Sequence, residues 1–252
     1  MEPTPNYPLN YLERILIMQQ ILSKMRKAIE EYHMIDEGDK IAVCLSGGKD
    51  SITLLNGLKA LQRFYPKHFE LIAISINPGF DFFDTELLQE NCDEIEVPLF
   101  IENSNIKEIA FDVRKEKNPC SLCANLRRGI INSIAIREGC NKIALGHNMD
   151  DVLETFLLNL LYTGSISTFA PKSYMDRTKI TLIRPLILLS EKDTRRYVKK
   201  NNKKVMPKVC PMDEHTKRKD MEEQIFMWQK DIPMIKANLF GAISRNLDGW
   251  KK

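Results

Sequence analysis

The sequence predicts an α/β protein: a parallel sheet covered by helices, with a long helix before it and a basic helical extension after it. Three observations predict this. The apolar run Ile41-Ala42-Val43-Cys44-Leu45 enters a glycine turn, after which apolar residues recur at helical spacing through Ile52, Leu55 and Leu58. A second apolar run, Glu70 to Ile76, follows that helix, and a strand–helix–strand unit implies a right-handed parallel crossover. The alternation continues as far as Lys142 to Leu145, where another strand opens directly into a polar turn.

Taken in order, Leu12, Ile15, Leu22, Met25, Ile29 and Tyr32 mark an amphipathic first helix, with Asn10 and Glu13 as its expected capping box. Asp36 to Asp39 turn the chain into the strand Lys40 to Leu45. Beyond the second strand, Asn77-Pro78-Gly79 ends on the carboxyl edge of the sheet, which makes the backbone near Ile76 a candidate nucleoside contact. A helix from about Asp84 to Glu94, a strand from Glu96 to Ile101, a weakly helical polar stretch to Lys117 and a helix from about Ser121 to Glu138 follow. The helix Val152 to Tyr162 is apolar on adjoining faces, so it should be nearly buried. Lys172 to Met175 and Ile180 to Arg184 suit either a hairpin or an irregular stretch, Ser190 suits the cap of a helix through Lys200, and stretches 221–230 and 234–246 are helical. We divide the chain into an N-terminal helix (1–35), a central domain (36–196) and a basic C-terminal extension (197–252).

No apolar run approaches the ~20 residues of a membrane span, and the first residues lack the basic-then-apolar pattern of a signal peptide. The expected location is the cytoplasm, with no membrane partner, and the six cysteines should be mostly reduced there. The net charge of +3 conceals an asymmetry: residues 172–252 carry 20 Lys plus Arg against 10 Asp plus Glu, whereas the first 171 carry 17 against 24. A basic third of this kind suits a polyanion such as RNA, and a solvated helical surface has the same composition.

Ser46-Gly47-Gly48-Lys49-Asp50-Ser51 stands where strand gives way to helix. Free backbone N–H groups, the helix dipole, two hydroxyls and the Lys49 ammonium would converge there on one anion, so the loop is read as a phosphate cradle. Its spacing is neither that of Walker A nor GxGxxG. Cys120 and Cys123 form a CxxC pair at a helix start, where the dipole favours thiolate. Cys210 is the best third ligand, since Cys44 should be buried in its strand, Cys92 lies in a helix and Cys140 belongs to a far connector. The set fits an iron–sulfur cluster with one iron lacking a protein ligand, a redox pair, or zinc completed by His215 or Cys140. Arg127 and Arg128, one turn after Cys123, could hold phosphate charge, an RNA backbone, or simply form a solvated helix face. In Gly146-His147-Asn148-Met149-Asp150-Asp151, the adjacent carboxylates suit magnesium or a helix cap, and His147 could position a ligand or equally serve packing or capping.

SGGKDS is the signature of the PP-loop ATP pyrophosphatases, which this chain resembles, and the resemblance implies an adenine nucleotide alpha hydrolase-like, Rossmann-like core. With CSLCANLRRG, LGHNMDDVLET and IRPL in the same order, residues 39–196 are similar to the tRNA 2-thiocytidine synthetases. That resemblance implies an ATP-dependent enzyme that thiolates cytidine 32 of tRNA. It implies ATP and Mg²⁺ as cofactors, with a [4Fe-4S] cluster on Cys120, Cys123 and Cys210. Ser46, Gly47, Gly48, Lys49, Asp50, Ser51, Ile76, Gly146 and His147 would bind the nucleotide, and Lys49, Asp50, Arg127, Asp150 and Asp151 would serve catalysis. The implied partners are tRNA and a cysteine desulfurase or other sulfur donor, and a homodimer is one option. Asn148, Met149 and Met212 stand where the family often has a second histidine, an arginine and a further cysteine, and GHN is closer to 2-thiouridine enzymes. A 2-thiouridine-forming enzyme, a lysidine-synthetase-like ligase and a noncatalytic RNA-binding module therefore remain as alternatives.

Overall fold

The computed structural model describes residues 9–80, 83–113, 119–207 and 217–251, with side chains from residue 12 onward. Six strands form one sheet in the order β3-β2-β1-β4-β6-β5: β1 Asp39–Cys44, β2 Phe69–Asn77, β3 Leu99–Asn103, β4 Lys142–Ala144, β5 Lys172–Met175 and β6 Ile180–Ile183. All pairings are parallel except the β5–β6 hairpin at one edge. Ala42 of β1 sits opposite Ile72 on one side and Ile143 on the other, and it is fully buried, as a strand covered on both faces must be.

Eight helices are described: α1 Leu9–Glu31, α2 Lys49–Leu61, α3 Thr85–Asp93, α4 Pro119–Arg137, α5 Met149–Leu158, α6 Glu191–Lys200, α7 Lys217–Asp231 and α8 Ile235–Asn246. Two π-helical turns, Glu108–Val113 and Asn159–Thr163, lie among them. One side of the sheet carries the larger core, where Ile21, Met25 and Ile29 of α1 meet Ile52, Leu55 and Leu58 of α2. Ile225 of α7, Ile243 of α8 and Trp250 belong to that same core. The other side packs Ile72, Ile74 and Ile143 against Ile134 and Ala135 of α4.

Two local expectations need correction. The first helix already includes Leu9 and Asn10, so Asn10 is not its N-cap. The apolar helix after β4 is buried at Val152, Leu153 and Leu157, but beyond Leu158 it widens into a π-helical turn. Leu161 and Tyr162 are exposed there by half or more. Among the described residues, no helix is long and apolar enough to cross a membrane.

Candidate active site

The strand order places the site. From β1 the chain proceeds outward to β2 and β3, then returns to β4 on the other side of β1. The carboxyl ends of β1 and β4 therefore flank the point where the winding reverses, and open parallel sheets bind ligands in that crevice. Ser46 leaves β1 there, and Gly146 leaves β4. The two loops touch: a Cβ on Gly146 would lie 3.2 Å from the Ser51 nitrogen, so only glycine allows this approach without displacement.

The phosphate loop is held from inside and from behind. Ser51 Oγ accepts from the Ser46 N–H at 3.2 Å and donates to the Gly48 carbonyl at 2.9 Å. Gly47, at φ 77°, turns its carbonyl to accept from the Met206 N–H at 2.8 Å. Side chains cap α3, α5 and α6 through Asp84, Asn148 and Ser190, whereas the N-cap of α2 is Gly48 and makes no side-chain cap bond. The first amides of α2 are thereby left for an anion, which fits a polyphosphate.

A cavity of about 600 Å³ joins this loop to the cysteine pair. Its lining includes Ser46, Asp50, Ser51, Gly146, His147 and Asp151 on one side, with Cys120, Cys123, Arg127 and Arg128 on the other. Phe80 and Phe111, 6.0 Å apart edge to face, add an aromatic wall. Cys44 also lines this cavity, at the end of β1, rather than being hidden within the strand. Burial pushes its thiol up to about 12, so with no cation beside it the thiol stays neutral. Cys140 is buried before β4, at the opposite edge of the sheet, which removes it as a fourth zinc ligand. Cys210 and His215 lie outside the described residues, and among the described ones no three metal-ligating side chains converge. Two cysteines at the start of α4, in a cavity of this size, fit part of a cluster site. The chain that leads to Cys210 passes Met206, on the back of the phosphate loop.

A smaller cavity of about 230 Å³ adjoins the first through Asp50 and Asp151. Lys49 Nζ lies 2.8 Å from Asp50 and 3.0 Å from Glu191. Burial alone would lower the Lys49 pKa, but these two carboxylates outweigh it and hold it above the usual lysine value. Asp50 also accepts from Thr194 Oγ1 at 2.6 Å and from Asn148 Nδ2 at 3.3 Å. Asp151 completes a capping box: its Oδ2 accepts from the Asn148 N–H at 2.9 Å, while Arg218 approaches Oδ1 at 3.3 Å. Both oxygens of Asp150 are used for docking, one by the Glu191 N–H and one by Lys236 of α8, each at 2.6 Å. For a magnesium ion, Asp50 and Asp151 open on both cavities, Asp150 lines only the smaller one, and the oxygens of all three already accept hydrogen bonds or pair with cations.

Ile76 is buried within β2 and does not line either cavity, although Asn77 to Gly79 end on the same sheet edge. Glu191, Thr194 and Lys236 carry no sequence motif, and Arg218, in the basic stretch expected to meet RNA phosphates, pairs here with Asp151. All four come from α6, α7 and α8, far along the chain, and only the basic composition of the last third pointed toward two of them.

A strand, the SGGKDS turn and an uncapped helix N-terminus at the winding reversal define a PP-loop protein, and the PP-loop domain family matches residues 17–226. A tRNA-cytidine(32) 2-sulfurtransferase of Paracidovorax citrulli is 39% identical over 227 residues, covering 89% of this chain and 73% of that protein. The enzyme of the same name from Dichelobacter nodosus is 39% identical, covering 88% and 84%. The chain belongs to the tRNA-cytidine(32) 2-sulfurtransferase family. Among solved structures, the U34-tRNA thiolase NcsA of Methanococcus maripaludis, with its [4Fe-4S] cluster, superposes with a TM-score of 0.77 at 26% identity, over 91% of this chain and 79% of that one.

Proposed function

We propose that this protein is an ATP-dependent tRNA sulfurtransferase that replaces the C2 oxygen of cytidine 32 with sulfur. One observation carries the reading: the phosphate loop and the CxxC pair line a single cavity. The chemistry requires that union, because hydroxide is a poor leaving group from C2. The C2 oxygen attacks the α-phosphorus of ATP, the bond to the bridging oxygen breaks, and pyrophosphate departs. Sulfur then attacks C2, and the original oxygen leaves as part of AMP.

In this scheme the amides at the start of α2, with Ser46, Ser51 and Lys49, hold the departing pyrophosphate. Asp50, aided by Asp151, would hold Mg²⁺, which supplies charge neutralisation on the phosphates. Arg127 and Arg128 supply positive charge on the opposite wall, where AMP develops or the RNA backbone enters. Cys120, Cys123 and Cys210 would hold a [4Fe-4S] cluster, whose chemistry when bound is to carry the incoming sulfur. Residues 36–196 form the catalytic unit in this reading, and 197–252 contribute the third cysteine and tRNA contacts. A cysteine desulfurase is the proposed source of sulfur, and homodimer formation belongs to the same reading.

Likeness to the U34-tRNA thiolase supports a second reading, in which uridine is the base modified. Mass spectrometry of nucleosides from treated tRNA decides between them: 2-thiocytidine is expected, and 2-thiouridine would replace it under the second reading. Lys49→Ala and Asp50→Ala should each slow tRNA-dependent pyrophosphate release by roughly a hundredfold with the fold intact. Cys120→Ala, Cys123→Ala or Cys210→Ala should lower bound iron and abolish thiolation while ATP binding persists. Full iron and full thiolation in Cys210→Ala would remove the three-cysteine site.

A further inference from the structure

His147 follows Gly146 at the end of β4, lines the larger cavity and has Phe169 against its ring, with centroids 4.8 Å apart. Arg184, just past β6, sits over the same Phe169 ring at 4.9 Å. Its Nε donates to His147 Nδ1 at 3.3 Å, and its Nη1 donates to the Ala170 carbonyl at 2.6 Å. Arg184 is 94% buried and forms no ion pair with any described carboxylate. A buried guanidinium without a counter-charge is costly, and such an arrangement suits a place where an anion will sit.

The hydrogen bond also decides the state of the imidazole. Nδ1 must accept, so it carries no proton, and the ring's hydrogen is on Nε2. An imidazolium would set its Nδ1–H against the guanidinium N–H and add a second positive charge beside it. Nε2 meets no protein partner among the described residues and is not sealed from solvent. Burial opposes charging of the ring, and the charged groups around it act in the same direction: Arg184, just past β6, and Arg218 from α7 oppose a further cation, while Asp50 and Asp151 share the cavity but are engaged by Lys49 and Arg218.

We infer that His147 is a fixed, neutral Nε2–H donor to an anionic oxygen on the α-phosphate of ATP or AMP, and that Arg184 is the positioning residue that sets this tautomer. The inference rests on the ATP-dependent reading, and it excludes His147 as a general base. A base carbonyl offers the same acceptor chemistry, but the uncompensated charge of Arg184 favours the phosphate.

Nitrogen-15 spectra of the full-length protein with labelled histidine test the tautomer without activity, with His147→Gln identifying the signal. A neutral ring protonated on Nε2 from pH 5.5 to 8 is expected, and Arg184→Gln should let the Nδ1-protonated tautomer appear while burial still keeps the ring from charging in that range. A wild-type ring that titrates near 6.5, or that is protonated on Nδ1, would overturn the proposal. Binding of a nonhydrolysable ATP analogue without RNA tests the acceptor. His147→Ala should bind about tenfold to a hundredfold more weakly, as loss of a hydrogen bond to a charged group implies, and His147→Gln, which keeps an N–H donor, should recover most of that loss. Unchanged analogue affinity with a raised KM for tRNA would overturn the phosphate assignment in favour of the base. Failure of the wild type to bind the analogue would sink the ATP reading itself, while the tautomer result would stand or fall separately.

Discussion

Adjacent aspartates at the start of α5 have unlike fates. Asp151 caps the helix and still opens on both cavities, while Asp150 turns to dock α6 and α8. One turn later, Glu154 is buried, and desolvation, reinforced by Asp151, pushes its carboxyl up to about 8 from an ordinary 4.5. The folded state keeps this proton up to about pH 8, whereas the unfolded chain releases it near 4.5. Folding therefore takes up a proton between those values, and the stability contribution, complete below pH 4.5, is lost as pH rises toward 8. Glu154→Gln lacks that loss. Its Tm should rise relative to wild type between pH 5 and pH 8.5, by about 2–4 °C for each kcal/mol involved. Thermal melts at the two pH values check this, and a constant gap would show that Glu154 ionises normally.

At the scale of elements, the phosphate loop depends on a segment 159 residues away. Gly47 holds Met206 through its carbonyl, and a Cβ there would come within 2.8 Å of Met206 Cβ. Its φ of 77° already disfavours any side chain. Gly47→Ala should cost at least about 1–2 kcal/mol for the left-handed backbone, and it should also lift residues 203–207 off the loop. Equilibrium unfolding and ATP-analogue binding measure the two parts. Lys203 and Lys204, on that segment, pair with Glu94 and Glu90 at 2.7 Å, and Arg218 pairs with Asp151. Neutralising Lys203 and Lys204 together should thus lower the salt slope of tRNA binding by less than the ~0.7 to 0.9 expected for each phosphate contact. A full reduction would place both lysines on the RNA.

For the whole molecule, the C-terminus closes the core. Trp250 is 1% exposed, edge to face with Tyr32 after α1 at 6.0 Å and with Phe240 of α8 at 5.4 Å. Through this contact the first helix and the last share one apolar cluster. Trp250→Ala should destabilise by about 3–5 kcal/mol, read from urea unfolding. It should also loosen α8, and with it the Lys236–Asp150 pair beside the phosphate loop. A loss below about 1 kcal/mol would mean that the extension packs independently of α1.

The sequence by itself determined the alternation of strand and helix, the position of the phosphate loop, the CxxC helix start and the basic last third. These are local properties: hydrophobic period, glycine in a turn, and charge are readable within a few residues. The cap at Ser190 was legible for the same reason. Only the tertiary structure decided which side chains meet. It brought Cys44 into the cavity, kept Ile76 out, turned Asp150 toward Lys236 and set Arg184 against His147. Each of those outcomes depends on the order in which strands are laid beside β1 and on helices packed from distant parts of the chain. Hydrophobic patterning specifies a face for burial, but it does not specify the polar partner that waits there.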